Sequence, residues 1–188
     1  MSNFFKNSDL DNIKAESIVS DTLNNCDDGE LYLENSKSES ILLDDNKIKN
    51  SSYSSDLGYG FRAITGEVVA YSHSNDISKD SILKSSENLK DTLKSKKGTY
   101  NHEIPKSNKK YYEDLNPIEE KSQNSKIKIL NEVNNYIRSK GDIVSQVTAS
   151  FLGEHKEIEI IRSNSEVLKD VRPVSYTHLR AHETSSSL

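Results

Sequence analysis

Short apolar runs separated by turn-forming residues fill the stretch from residue 30 to residue 74. The runs ELYLEN, SILLDD, KIKNSSY, GYGFRAI and EVVAYS are bounded by Asp, Asn and Gly, as strands joined by tight turns are. The best candidates for hairpin turns are Asp44-Asp45-Asn46 and Thr65-Gly66, because Asn and Gly tolerate a positive φ. The pattern predicts an antiparallel sheet built from short strands.

Three segments outside this stretch carry apolar residues at helical spacing. They are residues 8–25 with Ser8 as the cap, residues 78–96 with Ser78 as the cap, and residues 117–140. Strands that cluster, rather than alternate with helices, favour an α+β architecture. We therefore expect an α+β fold in which helices cover an antiparallel sheet.

The segment DIVSQVTASFLGEHKEIEIIRSN, residues 142–164, is also strand-like. Glycine followed by a charged residue interrupts it, so the sequence predicts two strands around a turn at Gly153-Glu154.

Length and charge narrow the class of protein. A chain of 188 residues suits one domain, and its formal net charge of −5 is mild, with both signs interspersed. A nucleic acid or an anionic membrane would favour a basic face, so neither is expected as a partner. No apolar run approaches the roughly 20 residues that a membrane-spanning helix requires.

Cys26 is the single cysteine of the chain. One cysteine behind a charged N-terminal sequence favours a reducing cytoplasm. Two acidic residues follow it in NNCDDG, and neighbouring negative charge raises a thiol pKa rather than activating the thiol. The sequence therefore favours a structural Cys26 over a catalytic one.

The pair Gly58 and Gly60 resembles the start of a dinucleotide-binding fingerprint. That fingerprint needs a third glycine three residues on and a following helix, whereas Ala63 stands there within strand-like FRAI. The favoured interpretation is a strand that bends or approaches another backbone closely.

Two pairs of carboxylates could serve acid–base chemistry, Glu34 with Glu39 and Asp44 with Asp45. Such chemistry needs converging geometry and burial, and the sequence indicates neither, so solvated strand edges and turns are favoured.

Arg62 lies between apolar neighbours in a predicted strand. It could pair with Glu67 across the turn at Gly66, or it could hold a peptide carboxylate or carbonyl. The sequence favours the pair with Glu67.

His178 and His182 lie four residues apart, the spacing of two zinc ligands on one helical face. A third protein ligand is needed, and residues 184–188 offer none. The segment SYTHLRAHETSSSL also changes composition abruptly and resembles a translated sequencing-adapter artefact. We therefore expect a native domain over residues 1–173, a non-native tail over 174–188, and no zinc at these histidines.

The stretch from Leu31 to Glu67 resembles the N-terminal domain of the TldD branch of the TldD/PmbA protease family. The matching positions are Leu31-Tyr32, Ser36, Glu39-Ser40, Leu43, Asp45, Ile48-Lys49, Ser52-Tyr53, Asp56, Gly58, Gly60, Arg62-Ala63-Ile64 and Gly66-Glu67. Later landmarks at compatible spacing are Asp76-Ile77-Ser78, Val147-Thr148-Ala149-Ser150 and Asp170-Val171-Arg172-Pro173. The sequence departs from the pattern at Ala70, where the family usually has glycine, and at His73, where it commonly has an aromatic residue.

The resemblance implies a cytoplasmic zinc peptidase, built from two similar subunits around an enclosed chamber, that degrades or trims peptides and unfolded segments. Its metal motif, His-Glu-x-x-x-His, is expected beyond Arg172-Pro173 and does not occur in this chain. The nearest match, His102-Glu103, has Ser107 in place of the second histidine. We therefore assign no catalytic and no metal-binding residue and expect no zinc bound by these residues; the substrate-binding residues stay open.

Two functions follow from these observations. The first is the N-terminal part of a TldD-like metallopeptidase that forms a homo- or heterodimer with a second subunit of the family. In this case an exposed sheet edge within residues 59–69 could take a peptide as an added strand. The alternative is a standalone, non-catalytic module for peptide binding or subunit interaction.

Overall fold

The structure, a computed structural model, describes residues 4–6, 8–94, 111–141 and 143–183. Its elements, in chain order, are α1 (Asn12–Leu23), β1 (Asp28–Asp44), β2 (Lys47–Thr65), β3 (Val68–Ser74), α2 (Lys79–Leu93), α3 (Gln123–Arg138), β4 (Val144–Arg162) and β5 (Val167–Glu183). The strands form one antiparallel sheet in the order β3-β2-β1-β4-β5. The predicted α+β class is confirmed.

Both predicted hairpin turns are confirmed. Asp45 and Asn46 adopt φ values of 49° and 65° between β1 and β2, and Gly66 adopts 59° between β2 and β3. Positive φ at both central residues suits the twist of the flanking strands.

The strands are fewer and longer than predicted. β1 has 17 residues and β2 has 19, so the polar stretches around Ser36 and Ser52 continue strands rather than end them. Serine hydroxyls bond across this part of the sheet, Ser38 with Ser54 at 3.0 Å and Ser40 with Ser52 at 3.2 Å. Backbone pairing in the sheet therefore outweighs the turn preference of these serines.

The turn predicted at Gly153-Glu154 is wrong. β4 continues through both residues, and the chain reverses at residues 163–165, where Ser165 has a φ of 60°. A Cβ atom at Gly153 would lie 3.2 Å from Cγ1 of Ile118. The glycine thus admits a close neighbour within a strand, instead of bending the chain.

Two helix starts also differ from prediction. α1 is capped by Asp11, whose carboxylate accepts from the Lys14 N–H at 2.8 Å, while Ser8 donates to the Ile77 carbonyl at 3.0 Å. α3 begins after its cap Ser122. The preceding residues form a separate turn held by Asn116, whose side-chain oxygen accepts from the Ile118 N–H. For α2, the predicted cap Ser78 is confirmed.

The described residues divide into two compact units. Unit 1 comprises Met1–Asn35, Asp56–Glu113 and Lys156–Val171, and unit 2 comprises Ser36–Ser55, Asp114–His155 and Arg172–Leu188. Unit 1 has the larger apolar core, which includes Val19, Leu23, Leu31, Leu33, Phe61, Ala63, Ile82, Leu89 and Ile161. The core of unit 2 is smaller and consists of Ile41, Leu43, Leu130 and Ala149, with Ile127 and Phe151 against it.

Hydroxyl groups, rather than apolar side chains alone, fix α2 in unit 1. The Tyr59 hydroxyl donates to the Ser81 carbonyl at 2.8 Å and lies 2.7 Å from the hydroxyl of Ser85. Ser86 meets Thr22 of α1, with 2.6 Å between their side-chain oxygens. Because Ser85 and Ser86 are buried, each needs a hydrogen-bond partner, and each has one.

Candidate functional site

The β2–β3 hairpin of unit 1 holds Gly58, Gly60 and Arg62, three of the candidate functional residues. Its register pairs Gly60 with His73, Arg62 with Tyr71 and Ile64 with Val69, so these six residues share one face of the hairpin, named here the hairpin face. The rings of Tyr71 and His73 stack with centroids 5.7 Å apart, and Val69 and Tyr71 are exposed. The exposed part of this face is therefore apolar and aromatic.

The glycines Gly58 and Gly60 lie within β2, and no helix follows them. A Cβ at Gly60 would lie 2.7 Å from the Tyr71 hydroxyl, and a Cβ at Gly58 would lie 2.9 Å from the Ser74 carbonyl oxygen. The predicted close approach to another backbone is confirmed at Gly58, whereas Gly60 approaches the Tyr71 side chain. The nucleotide-binding alternative lacks the helix that should follow directly.

Arg62 takes other partners than the one predicted. Its Nη2 lies 3.4 Å from a carboxylate oxygen of Asp28 and 3.2 Å from one of Glu30, both on β1. The predicted pair with Glu67 is therefore wrong. Because two carboxylates already neutralise Arg62, a peptide carboxylate would have to compete with them.

The carboxylate pairs do not form an acid–base site, and the prediction that they are solvated is wrong for Glu39. Glu39 is buried and receives a hydrogen bond from Lys126 of α3, which is buried as well. Lys126 also donates to the Ile118 carbonyl at 2.6 Å and lies 5.1 Å from the centre of the Phe151 ring. The two charges thus neutralise each other within the core of unit 2.

The other three carboxylates have nearby partners too. Tyr32 donates to Glu34 at 2.5 Å, and Arg138 pairs with Asp45.

Asp44 accepts from Gln146 at 2.8 Å and from Thr148 at 2.9 Å. These two hydrogen bonds lower the pKa of Asp44. A carboxylate with a lowered pKa binds protons weakly, so Asp44 is poorly suited to act as a base near neutral pH.

Cys26 follows α1 and is half-buried. Burial raises the pKa of its thiol above the ordinary value, and the charge of Asp27 raises that pKa further, while a hydrogen bond from Thr65 lowers it. The expected upward shift is confirmed in direction, with burial as its main cause. Near neutral pH the thiol stays protonated, which disfavours nucleophilic chemistry.

The described residues do not fit a zinc ion. Nowhere in 4–6, 8–94, 111–141 and 143–183 do three or more His, Cys, Asp or Glu side chains come together to hold a metal. His178 and His182 lie on β5, and in a strand residues four apart are separated by about 13 Å, too far to share one ion. His102, Glu103 and Ser107 lie outside the described residues.

The sequence analysis did not predict that two charged residues, Lys126 and Glu159, are buried. Lys126 shares a helical face with Leu130 and Asn134, and this spacing of four residues was a usable signal. Glu159 lies within the alternating run EIEII of β4 and is 1% exposed. It accepts hydrogen bonds from Asn12 at 3.2 Å and from Lys169 at 2.9 Å, contacts that depend on elements distant in sequence.

None of the described helices is long and apolar enough to cross a membrane.

Comparison with known proteins agrees with this fold. Residues 29–95, which hold β1 to β3 and α2, match the model of the family described as PmbA/TldA metallopeptidase domain 1. Over 148 residues the chain is 31% identical to a metalloprotease TldD homolog of Buchnera aphidicola, covering 78% of this chain and 31% of that protein. A metalloprotease TldD homolog of Haemophilus influenzae is 29% identical over 156 residues, covering 80% of this chain and 32% of that protein.

A solved structure has the same fold. The crystal structure of TldE from Thermococcus kodakarensis superimposes with a TM-score of 0.67 at 15% identity, covering 93% of this chain and 40% of that one. The matched segment and the fold both correspond to the first domain of this family. The chain carries an N-terminal TldD/PmbA-type domain and spans about a third of the length of its curated relatives.

Proposed function

We propose that this chain supplies the N-terminal domain of a TldD-like zinc metallopeptidase that degrades or trims peptides and unfolded segments. The observation that carries the proposal is the match of residues 29–95 to the first domain of the family, extended by TldD relatives that align over about four-fifths of the chain. Residues 1–173 are proposed as native sequence and residues 174–188 as a non-native tail. The single cysteine supports a cytoplasmic location.

The zinc-binding and catalytic residues are proposed to lie outside this chain, in the rest of the subunit. The described residues bring no three metal-ligating side chains together, so no catalytic step is assigned to them. The proposed role of this domain is to help form the interface with a second TldD/PmbA-type subunit and to present peptide to the metal.

The sheet order changes where a peptide could add as a strand. Residues 59–65 belong to β2, which lies between β1 and β3 and is paired with β3 along this length. β3 lies at the edge of the sheet, so peptide addition is now proposed along β3 and not along residues 59–65. In the full-length subunit, Tyr71→Lys would then slow peptide cleavage, whereas Tyr112→Lys, at an exposed tyrosine outside the hairpin, would leave it unchanged.

The genomic DNA downstream of codon 173 tests the main proposal. We expect an open frame that continues the domain and encodes His-Glu-x-x-x-His. A stop codon there would overturn the proposal and favour the alternative, a standalone non-catalytic module for peptide binding or subunit interaction. The exposed hairpin face is what favours this second candidate.

Zinc titration of the purified chain, with and without residues 174–188, tests the proposal that the zinc-binding residues lie outside this chain. Calorimetry is expected to show no stoichiometric zinc binding by either form. Binding that disappears with residues 174–188 would instead assign zinc to His178 and His182.

A further inference from the structure

Arg62 of the hairpin face carries one nitrogen from which neither of its carboxylate partners accepts a hydrogen bond. Asp28 and Glu30 both lie near Nη2, at 3.4 Å and 3.2 Å. The Nε atom is buried, and among the residues that the structure describes it has no hydrogen-bond partner. A buried N–H without an acceptor is unfavourable, and buried polar groups of folded proteins are nearly always hydrogen-bonded. Nε is therefore a donor that a bound molecule can satisfy.

The charges around Arg62 favour a neutral acceptor over an anion. One guanidinium group and two carboxylates already leave one negative charge in excess. A carboxylate or phosphate ligand would be repelled by Asp28 and Glu30, because like charges at such short range disfavour one another. A carbonyl oxygen adds no charge and still accepts from an N–H group. The free donor thus fits a peptide carbonyl.

An exposed pair of aromatic rings lies next to Arg62. The register places Tyr71 directly opposite Arg62, and the Cβ atoms of such a pair are about 5 Å apart. The Tyr71 ring stacks on His73 with 5.7 Å between centroids and 25° between planes, and Tyr71 is 64% exposed. Aromatic rings attract one another in stacked or edge-to-face arrangements, so a ring from a ligand can add to this pair.

Gly60 provides the space that a bound residue needs. A Cβ atom at this position would lie 2.7 Å from the Tyr71 hydroxyl, so the end of the ring lies against bare backbone. Exposed side chains change rotamer on the picosecond-to-nanosecond timescale, and Tyr71 can therefore turn outward while its strand stays in place. This rotation clears the space above Gly60, beside Arg62, for a ligand.

We propose that the hairpin face binds an extended peptide through one aromatic residue, whose ring stacks on Tyr71 and whose backbone carbonyl accepts from Nε of Arg62. The inference rests on the peptide-handling role proposed above and deepens it by naming the substrate class and two contacts. A single aromatic residue carries both the ring and the carbonyl, so it can meet the two neighbouring groups at once. Apolar contact with Val69, which is 58% exposed, adds to the binding.

Fluorescence of a peptide probe tests the binding in the full 188-residue chain. The chain contains no tryptophan, so the emission and anisotropy of the capped peptide Ala-Ser-Trp-Ser-Ala report the peptide alone. We expect saturable binding. A peptide with Phe in place of Trp should compete about fivefold better than one with cyclohexylalanine, a side chain of nearly the same size, because only the aromatic ring gains from stacking.

Two pairs of variants test the two contacts. Arg62→Lys keeps the positive charge but removes Nε, and it should weaken probe binding about fivefold. Arg138→Lys, at an arginine of α3 that pairs with a carboxylate, is its matched control and should change binding less than about twofold. Tyr71→Ala should weaken binding about fivefold, whereas Tyr136→Ala, at a tyrosine that is 62% exposed, should change it less than about twofold. Circular dichroism shows whether each variant folds.

Nuclear magnetic resonance of the unmodified chain tests the hydrogen bond without depending on a folded variant. The Nε–H proton of Arg62 should move downfield when the probe peptide is added, because donation to a carbonyl deshields the proton. The Nε–H proton of Arg138 should not move.

Four results would each overturn the proposal. They are no saturable binding up to the solubility limit of the probe, equal competition by the Phe and cyclohexylalanine peptides, undiminished binding by folded Arg62→Lys, and an Arg62 Nε–H resonance that does not respond to peptide. The last result would assign the Nε donor to solvent water. None of these results bears on whether the frame downstream of codon 173 encodes a zinc motif, so this inference and the proposed zinc peptidase fail independently.

Discussion

Lys126 of α3 and Glu39 of β1 form an ion pair inside unit 2, with 3% and 9% of their side chains exposed. The Ile118 carbonyl and the Phe151 ring complete the surroundings of the ammonium group. Charges taken out of water in this way are tolerated only as a pair, because each compensates the desolvation of the other.

Removing one partner of this pair is expected to be costly. Lys126→Met should lower the free energy of unfolding by about 3–5 kcal/mol, since it leaves the Glu39 carboxylate buried without its cation. The double variant Lys126→Met with Glu39→Leu should regain most of that loss. Urea unfolding of the two single variants and the double variant measures the coupling, and strictly additive losses would contradict the ion pair.

The hydroxyl of Tyr59 is expected to contribute to the stability of unit 1. Tyr59→Phe removes the bond to the Ser81 carbonyl and leaves the buried Ser85 hydroxyl with one partner fewer. A loss of about 1–2 kcal/mol follows from deleting a buried hydrogen-bonding group. The control is Tyr53→Phe, where the ring is 57% exposed and the loss should be near zero. Equal effects of the two substitutions in urea unfolding would refute the role of the hydroxyl.

Two glycines of the sheet are expected to respond differently to alanine. At Gly29 the new Cβ would lie 2.6 Å from the Arg62 carbonyl oxygen and 2.5 Å from a Leu23 methyl carbon. The carbonyl belongs to the backbone of β2 and cannot move aside, so Gly29→Ala should cost about 1–3 kcal/mol.

At Gly60 the obstacle is the end of the exposed Tyr71 side chain, which can rotate away. Gly60→Ala should therefore cost less than Gly29→Ala in thermal unfolding, and the reverse order would count against the packing described for β1 and β2.

The thiol of Cys26 is expected to be slow to alkylate near neutral pH. Its pKa is raised above the ordinary value of a thiol in the folded chain, chiefly because the thiol is partly buried. A raised thiol pKa also means that the stability linked to the protonated thiol is fully present below the pKa of the unfolded chain and is lost as the pH rises through the higher pKa of the folded chain.

Iodoacetamide labelling followed by mass spectrometry should thus show a rate midpoint at higher pH in the native chain than in urea. Asp27→Asn should lower that midpoint only in part, because the charge of Asp27 is a smaller cause than burial. A native midpoint at or below the value in urea would contradict the assignment.

Local chemistry made part of this fold predictable. The turns at Asn46 and Gly66 follow from residues that accept a positive φ, and the start of α2 follows from the cap Ser78. These features depend on a few neighbouring residues, so they can be predicted from the local sequence.

Other features depend on neighbours that are distant in sequence. Gly153 lies within β4 and leaves room for Ile118, and Arg62 meets Asp28 and Glu30 because β1 lies beside β2. Neither relation can be obtained from spacing along the chain. The sequence therefore identified residues of the candidate site but did not predict which partners they contact.

The hydroxyl contacts of α2 also bear on how mutational data for this domain should be interpreted. Serines at positions 85 and 86 would be classed as solvent-facing by any ranking based on polarity, yet both are buried and bonded to Tyr59 and Thr22 respectively. A library designed to diversify apparent surface positions would include them and lose folded members. For α2, positions should be excluded from such a library when their hydroxyl group has a hydrogen-bond partner, whatever their hydropathy.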